Sequence, residues 1–166
     1  MSAKSLPSGV SPWFGRGFAL VLFFSALTGF AQMPIFKRYY IADIPGLGWL
    51  ANYTATFTLH HVSAALFLLL AAFALTDHLL QGRGRYRLTT AGAVKAGLLA
   101  AIAATGGLLV LRNLPGYRFS PNTVIVMDMG HLGLVMAFLI TAAVTALIGK
   151  RTVEAGSPQR IADSDR

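Results

Sequence analysis

The feature that most constrains this chain is the apolar stretch Thr54–Thr76, which is long enough to cross a bilayer and contains two adjacent histidines, His60 and His61. An imidazole at membrane depth is costly unless something binds it, so a histidine in such a stretch marks a candidate functional site. A third histidine, His131, lies within another apolar stretch. The interpretation of the sequence depends on whether these histidines serve one site.

Composition places the chain among integral membrane proteins, because 55% of its residues are hydrophobic, 12% are charged and the mean hydropathy is +0.61. Its lack of cysteine excludes disulfides, thiolate-held iron–sulfur clusters and covalent c-type haem in this chain. The net charge of +8 does not indicate nucleic-acid binding, because the basic residues lie between apolar stretches rather than along one solvated face.

Four apolar stretches predict an all-α fold, an integral membrane four-helix bundle with spans at about Gly17–Met33, Tyr53–Thr76, Ala91–Leu111 and Thr123–Ile148. We expect one transmembrane domain over residues 17–149, after a lead-in over residues 1–16 and before a charged, disordered tail over residues 150–166. A signal peptide is the alternative for the first span, but no small-x-small cleavage site follows it.

The basic residues predict the orientation of the chain. Four spans put both termini and the middle loop on one side. That side would hold Lys4, Arg16, Arg83, Arg85, Arg87, Lys95, Lys150, Arg151, Arg160 and Arg166, and the other side Lys37, Arg38, Arg112 and Arg118. Positive residues favour the cytoplasmic side, so we expect a multi-pass protein of the inner (cytoplasmic) membrane with both termini in the cytoplasm.

The histidines lie at similar depths. Counted from Tyr53 and from Thr123, His60 or His61 and His131 lie roughly 10–12 Å below the outer ends of their spans, at about 1.5 Å per residue. Two imidazoles at one level are able to ligate a b-type haem from opposite faces. The alternative is that each histidine bonds a hydroxyl or carbonyl of a neighbouring helix.

A weak internal repeat accompanies the histidines. The first span contains Ala26-Leu27-Thr28-Gly29 and the third contains Ala103-Ala104-Thr105-Gly106-Gly107, and a histidine-bearing span follows each. This pattern reads as a repeated pair of helices. Glycine at mid-span allows close approach either of a macrocycle edge or of another helix.

These residues resemble a known family. The stretch Thr105–Arg112, followed by a short turn and Met129-Gly130-His131, is similar to the second half of the cytochrome b (gamma) subunit of membrane-bound formate dehydrogenases, within the cytochrome b561-like group. Leu59-His60 and the Ala-Leu-Thr-Gly of the first span are similar to its first half. The resemblance implies four helices that hold b haems and carry electrons between an extracytoplasmic partner and quinone.

The resemblance assigns the outer haem to His60, or to His61 one residue later, and to His131. The family's inner haem uses histidines near the start of span 1 and further along helix 4. This chain has none in those regions, and His78, at the inner end of helix 2, has no evident mate. The sequence therefore predicts one haem b rather than two.

Charged residues near the histidines have two interpretations each. Arg38, Arg112 and Arg118 either bind haem propionates, which suit arginine's paired donors, or anchor the helices at the headgroups. Asp128, three residues before His131, either passes protons to a quinone or pairs with Arg112 or Arg118.

We therefore expect a haem-b membrane subunit of a respiratory complex. It would exchange electrons between an extracytoplasmic cytochrome c or iron–sulfur subunit and the quinone pool, surrounded by membrane lipid. A haem-free transmembrane anchor or assembly subunit is the main alternative. A small transporter fits less well, since no span is clearly broken by Pro or Gly beside charged residues at mid-membrane.

Overall fold

Four long helices make up most of the computed structural model, which describes residues 12–33, 43–82 and 86–155. Helix α1 spans Pro12–Ala31, α2 Tyr53–Asp77, α3 Thr90–Arg112 and α4 Pro121–Leu147. A short 3₁₀ helix at Gly48–Ala51 precedes α2, and a π-helical turn at His78–Gly82 follows it. The chain divides into two compact units, one that ends at Gly82 and one that begins at Arg83. We call these units the first hairpin and the second hairpin.

Three of the helices start at a side-chain cap. Asn52 accepts a hydrogen bond from the Ala55 amide at 3.1 Å, Thr89 from the Gly92 amide at 3.0 Å, and Ser120 from the Thr123 amide at 3.2 Å. Each cap satisfies one of the amide donors that a helix leaves unpaired at its N-terminus. In the turn between α3 and α4, Gly116 has φ of +94°, a conformation that favours glycine.

The first hairpin is an antiparallel pair of helices. Phe14 packs on Phe73 with ring centroids 5.5 Å apart, and Phe18 packs on Phe67 at 5.6 Å. These contacts join the start of α1 to the end of α2, while the end of α1 lies against His60, near the start of α2. The aromatic contacts therefore hold the end of the hairpin opposite to His60.

The second hairpin pairs α3 with α4 and adds a small antiparallel sheet. Strand β1, Tyr86–Leu88, pairs with β2, Val153–Ala155, so that Arg87 lies opposite Glu154. The sheet brings the segment after α4 back to the first turn of α3. In this part of the chain the expectation of a disordered tail is wrong, since Val153–Ala155 is a paired strand.

The predicted all-α class is confirmed, and the four helices are compatible with a four-helix membrane bundle, since each is long and apolar enough to cross a membrane. Large apolar side chains remain exposed along them, for example Leu69 (65%) and Val126 (70%), as a lipid-facing surface requires. Helix α1 begins at Pro12, five residues before the expected Gly17. The other helix ends lie within two residues of those predicted from the sequence.

Candidate functional site

His60 lies against helix α1 in the first hairpin. Its Nδ1 is 3.0 Å from the backbone carbonyl oxygen of Ser25 and 3.3 Å from the Oγ1 of Thr28. Thr28 is fully buried, and its hydroxyl lies 2.6 Å from the carbonyl oxygen of Phe24, one turn earlier. The imidazole is therefore oriented by the helix that precedes it in the chain.

His131 has the corresponding environment in the second hairpin. Its Nδ1 lies 2.8 Å from the Oγ1 of Thr105 on α3. The Thr105 hydroxyl lies 2.9 Å from the carbonyl oxygen of Ala101, again one turn earlier. Each hairpin thus places a threonine of its first helix beside a histidine of its second helix.

These hydrogen bonds fix the tautomer of both histidines. Each threonine hydroxyl donates its only proton to a carbonyl of its own helix, because a carbonyl oxygen can only accept. The hydroxyl oxygen must then accept from the histidine, so Nδ1 of His131 carries the ring proton. The Ser25 carbonyl requires the same of His60. In the neutral imidazole, Nε2 is then the nitrogen with the lone pair, the form in which histidine binds a metal.

A glycine follows each of these threonines and lies against the imidazole. A Cβ placed on Gly29 would lie 3.1 Å from Cε1 of His60, and one placed on Gly106 would lie 3.4 Å from Cε1 of His131. The first distance is tighter than most carbon contacts, so a side chain at position 29 would require the His60 ring to shift by a few tenths of an ångström, whereas the second distance is an ordinary contact. The Thr-Gly repeat of the sequence therefore corresponds to a repeated threonine–glycine–histidine arrangement, which we call the Thr-Gly-His site of each hairpin.

His61 is held differently from its neighbour. Its Nδ1 donates to the carbonyl oxygen of Phe57 on its own helix at 2.9 Å, and its ring lies on the Phe57 ring with centroids 4.1 Å apart. The planes of the His60 and His61 rings are nearly perpendicular, at 82°. Of the two adjacent histidines, only His60 has a counterpart in the second hairpin.

Ser25 adds an unsatisfied polar group beside His60. Its side-chain oxygen is buried and has no hydrogen-bond partner among the described residues. Such a group costs about 1–3 kcal/mol relative to a satisfied one. Sequence reasoning missed Ser25 and used Thr28 and Thr105 only as repeat markers, because their hydrogen bonds to histidine depend on helix pairing.

The structure pairs Asp128 with Arg112. The guanidinium Nη1 donates to the Asp128 carboxylate at 2.8 Å, which is the ion pair foreseen as one of the two interpretations of this acid. Arg118 is exposed in the turn between α3 and α4. Arg38, the third arginine considered for a propionate, lies outside the described residues.

Within the described ranges no group of three or more His, Cys, Asp or Glu side chains is arranged to hold a metal ion. A bis-histidine haem needs only two protein ligands, so this finding does not test the haem prediction.

The histidines lie at different distances from the starts of their helices. His60 is seven residues after the first residue of α2, and His131 is ten residues after Pro121, the first residue of α4. The depths counted from the helix starts therefore differ by about 4.5 Å.

The fold and composition define the chain as a multi-pass membrane protein with four candidate spans. Comparison with family models, with curated proteins and with solved structures found no match. The resemblance to the cytochrome b subunits therefore stays a prediction from short motifs.

Proposed function

We propose that this chain is the haem-b membrane subunit of a respiratory complex, with His60 and His131 as the residues that would hold one haem. The observation that carries the proposal is the repeated Thr-Gly-His site. In both hairpins a backbone-anchored hydroxyl leaves the histidine with an Nε2 lone pair and a glycine lies against the imidazole, most closely at Gly29. Metal-binding histidines characteristically donate their other ring N–H to a fixed acceptor in this way.

The residues present fit such a group. Two neutral histidines with a defined tautomer supply the nitrogen donors that a low-spin b haem requires. Ser25, whose carbonyl oxygen lies 3.0 Å from Nδ1 of His60, also has a buried hydroxyl without a partner among the described residues, which a bound ligand would be able to satisfy. When bound, the haem would accept and pass on single electrons.

The proposed electron path runs between an extracytoplasmic cytochrome c or iron–sulfur subunit and the quinone pool in the inner membrane. Asp128 is the acid proposed to pass protons to quinone. Its carboxylate is paired with Arg112 at 2.8 Å and lies one turn from His131 along α4. Arg118 and Arg38 stay candidates for holding propionates at the outer ends of the helices.

A second candidate function is a haem-free transmembrane anchor or assembly subunit. The observation that favours it is that the Thr28–His60 and Thr105–His131 bonds each join the two helices of a hairpin. Polar bonds of this kind stabilise helix pairs in membranes by about 0.6–2 kcal/mol each. In that case the only role of the histidines would be to hold the two helices of each hairpin together.

A spectrum of the purified protein separates the two functions. The proposal expects a reduced-minus-oxidised spectrum of b type, with close to one haem per chain, after expression in haem-replete cells. A colourless preparation whose helix content and thermal unfolding are those of a folded membrane protein would eliminate the haem function and leave the anchor.

A further inference from the structure

We propose that the second hairpin binds the phosphate headgroup of an anionic phospholipid in a cleft at the start of α3. The cleft has a volume of about 390 Å³, and its lining includes Arg87, Lys150, Arg151 and Glu154. This site goes beyond the proposed electron transfer, and it stands whether or not the chain binds haem.

The basic residues after α4 are held in place by backbone contacts. The Thr89 hydroxyl donates to the carbonyl oxygen of Arg151 at 2.7 Å, and the Thr89 amide donates to that of Thr152 at 3.2 Å. Lys95 donates from Nζ to the Thr152 hydroxyl at 2.7 Å. The Thr152 carbonyl also lies directly on Gly92, where a Cβ would collide with it. Arg151 is therefore fixed beside the start of α3.

The cleft has an excess of positive charge. Three cations and one carboxylate line it, and Glu154 lies opposite Arg87 in the strand pair. Among the residues that the structure describes, neither Arg87, Lys150 nor Arg151 forms an ion pair with Glu154. The cations are therefore available to an external anion, and arginine in particular suits the oxygens of a phosphate.

The surroundings of the cleft favour a lipid phosphate over a free one. Helix α3 begins and α4 ends at this place. Apolar side chains are exposed in the cleft lining (Leu88, 44%), in the first turns of α3 (Val94, 48%) and at the last residue of α4 (Leu147, 87%). A phospholipid would place its phosphate among the cations and its acyl chains along these side chains. Basic pockets at the ends of membrane helices recognise anionic headgroups by this combination.

The test is a lipid titration of the full-length protein in neutral detergent, followed by native mass spectrometry. Dioleoylphosphatidylglycerol should bind more tightly than dioleoylphosphatidylcholine. The double variant Arg87→Gln/Arg151→Gln should weaken binding of the anionic lipid about 25-fold, from about fivefold per basic residue. Arg16→Gln removes an exposed cation from the first hairpin and is the matched control, with unchanged binding expected.

Three results would overturn the proposal. These are equal binding of the two lipids, an equal loss in the Arg16→Gln control, and complete displacement of the anionic lipid by inorganic phosphate, which would indicate a free-phosphate site. Circular dichroism checks that the double variant folds. Should it not fold, Lys150→Gln tests the same cleft, with about a fivefold loss expected.

Discussion

At the scale of single residues, acceptors on the neighbouring helix decide which histidine nitrogen is protonated. Each histidine also has a backbone carbonyl as an acceptor, Ser25 for His60 and Ile102 for His131. The Thr105 hydroxyl is the closer of the two threonine hydroxyls, at 2.8 Å from Nδ1 of His131, against 3.3 Å between Thr28 and His60. The two histidines therefore depend on their threonines to different degrees. Removing the hydroxyl should affect His131 more strongly than His60.

Thr105→Val tests this dependence, because valine keeps the shape of threonine and removes the acceptor. Loss of a group that orients a metal ligand typically lowers metal affinity about 10–100-fold. We expect a loss of haem of this size and a shifted midpoint potential, measured by titration and redox potentiometry, and a smaller effect for Thr28→Val.

Thr141→Val is the matched control for Thr105→Val, because the Thr141 hydroxyl donates only to the Ala137 carbonyl of its own helix. It should keep wild-type haem affinity. Equal losses in the two variants, or none in Thr105→Val, would show that the hydroxyl does not position His131.

At the scale of helices and strands, the sequence predicted the long apolar elements and missed the short polar ones. Apolar length and capping residues are local, so the ends of α2 and α3 agree with prediction to within a residue. The predicted start of α1 was five residues late, because the helix begins at Pro12, within the stretch that its polar composition assigned to the lead-in. Strands β1 and β2 depend on pairing between segments more than sixty residues apart, which three-residue strands do not reveal.

Helix α1 also provides a test of the glycine in the Thr-Gly-His site. Gly29→Ala places a methyl group 3.1 Å from Cε1 of His60, whose ring is held by two hydrogen bonds and has little freedom to move. Overpacking of this kind costs about 1–3 kcal/mol. We expect haem affinity to fall at least fivefold in a haem titration, in proportion to that cost.

Gly17→Ala is the control on the same helix, since nothing lies within 4 Å of a Cβ at that position. Its haem affinity should match that of the unaltered protein. Should Gly29→Ala bind haem equally well, close packing of His60 on α1 is not required for the ligand.

At the scale of the whole molecule, the chain consists of two hairpins that repeat one arrangement. The sequence indicated the repeat through its Thr-Gly pairs, and the structure supplied the histidine that belongs to each. The choice between His60 and His61 was not predictable, because adjacent residues differ only in direction around the helix, by about 100°. The partner helix α1 distinguishes them.

The basic residues outside the spans predict the orientation of the chain in the membrane, with both termini in the cytoplasm. Reporter fusions after Gly84 and at the C-terminus should be active in the cytoplasm, and fusions at Gly46 or Gly116 should be active outside it. A cytoplasmic signal from Gly116 together with an external one from Gly84 would reverse the orientation and require a cytoplasmic electron-transfer partner.

The haem content of purified histidine variants tests the central claim most directly. His60→Ala and His131→Ala should each lose haem, while the adjacent His61→Ala should keep one haem per chain and a low-spin spectrum, because His61 bonds only its own helix in the described contacts. Full haem binding by His60→Ala, or loss of haem in His61→Ala with His60→Ala unaffected, would contradict the assignment of His60 and the Thr-Gly-His site on which it rests.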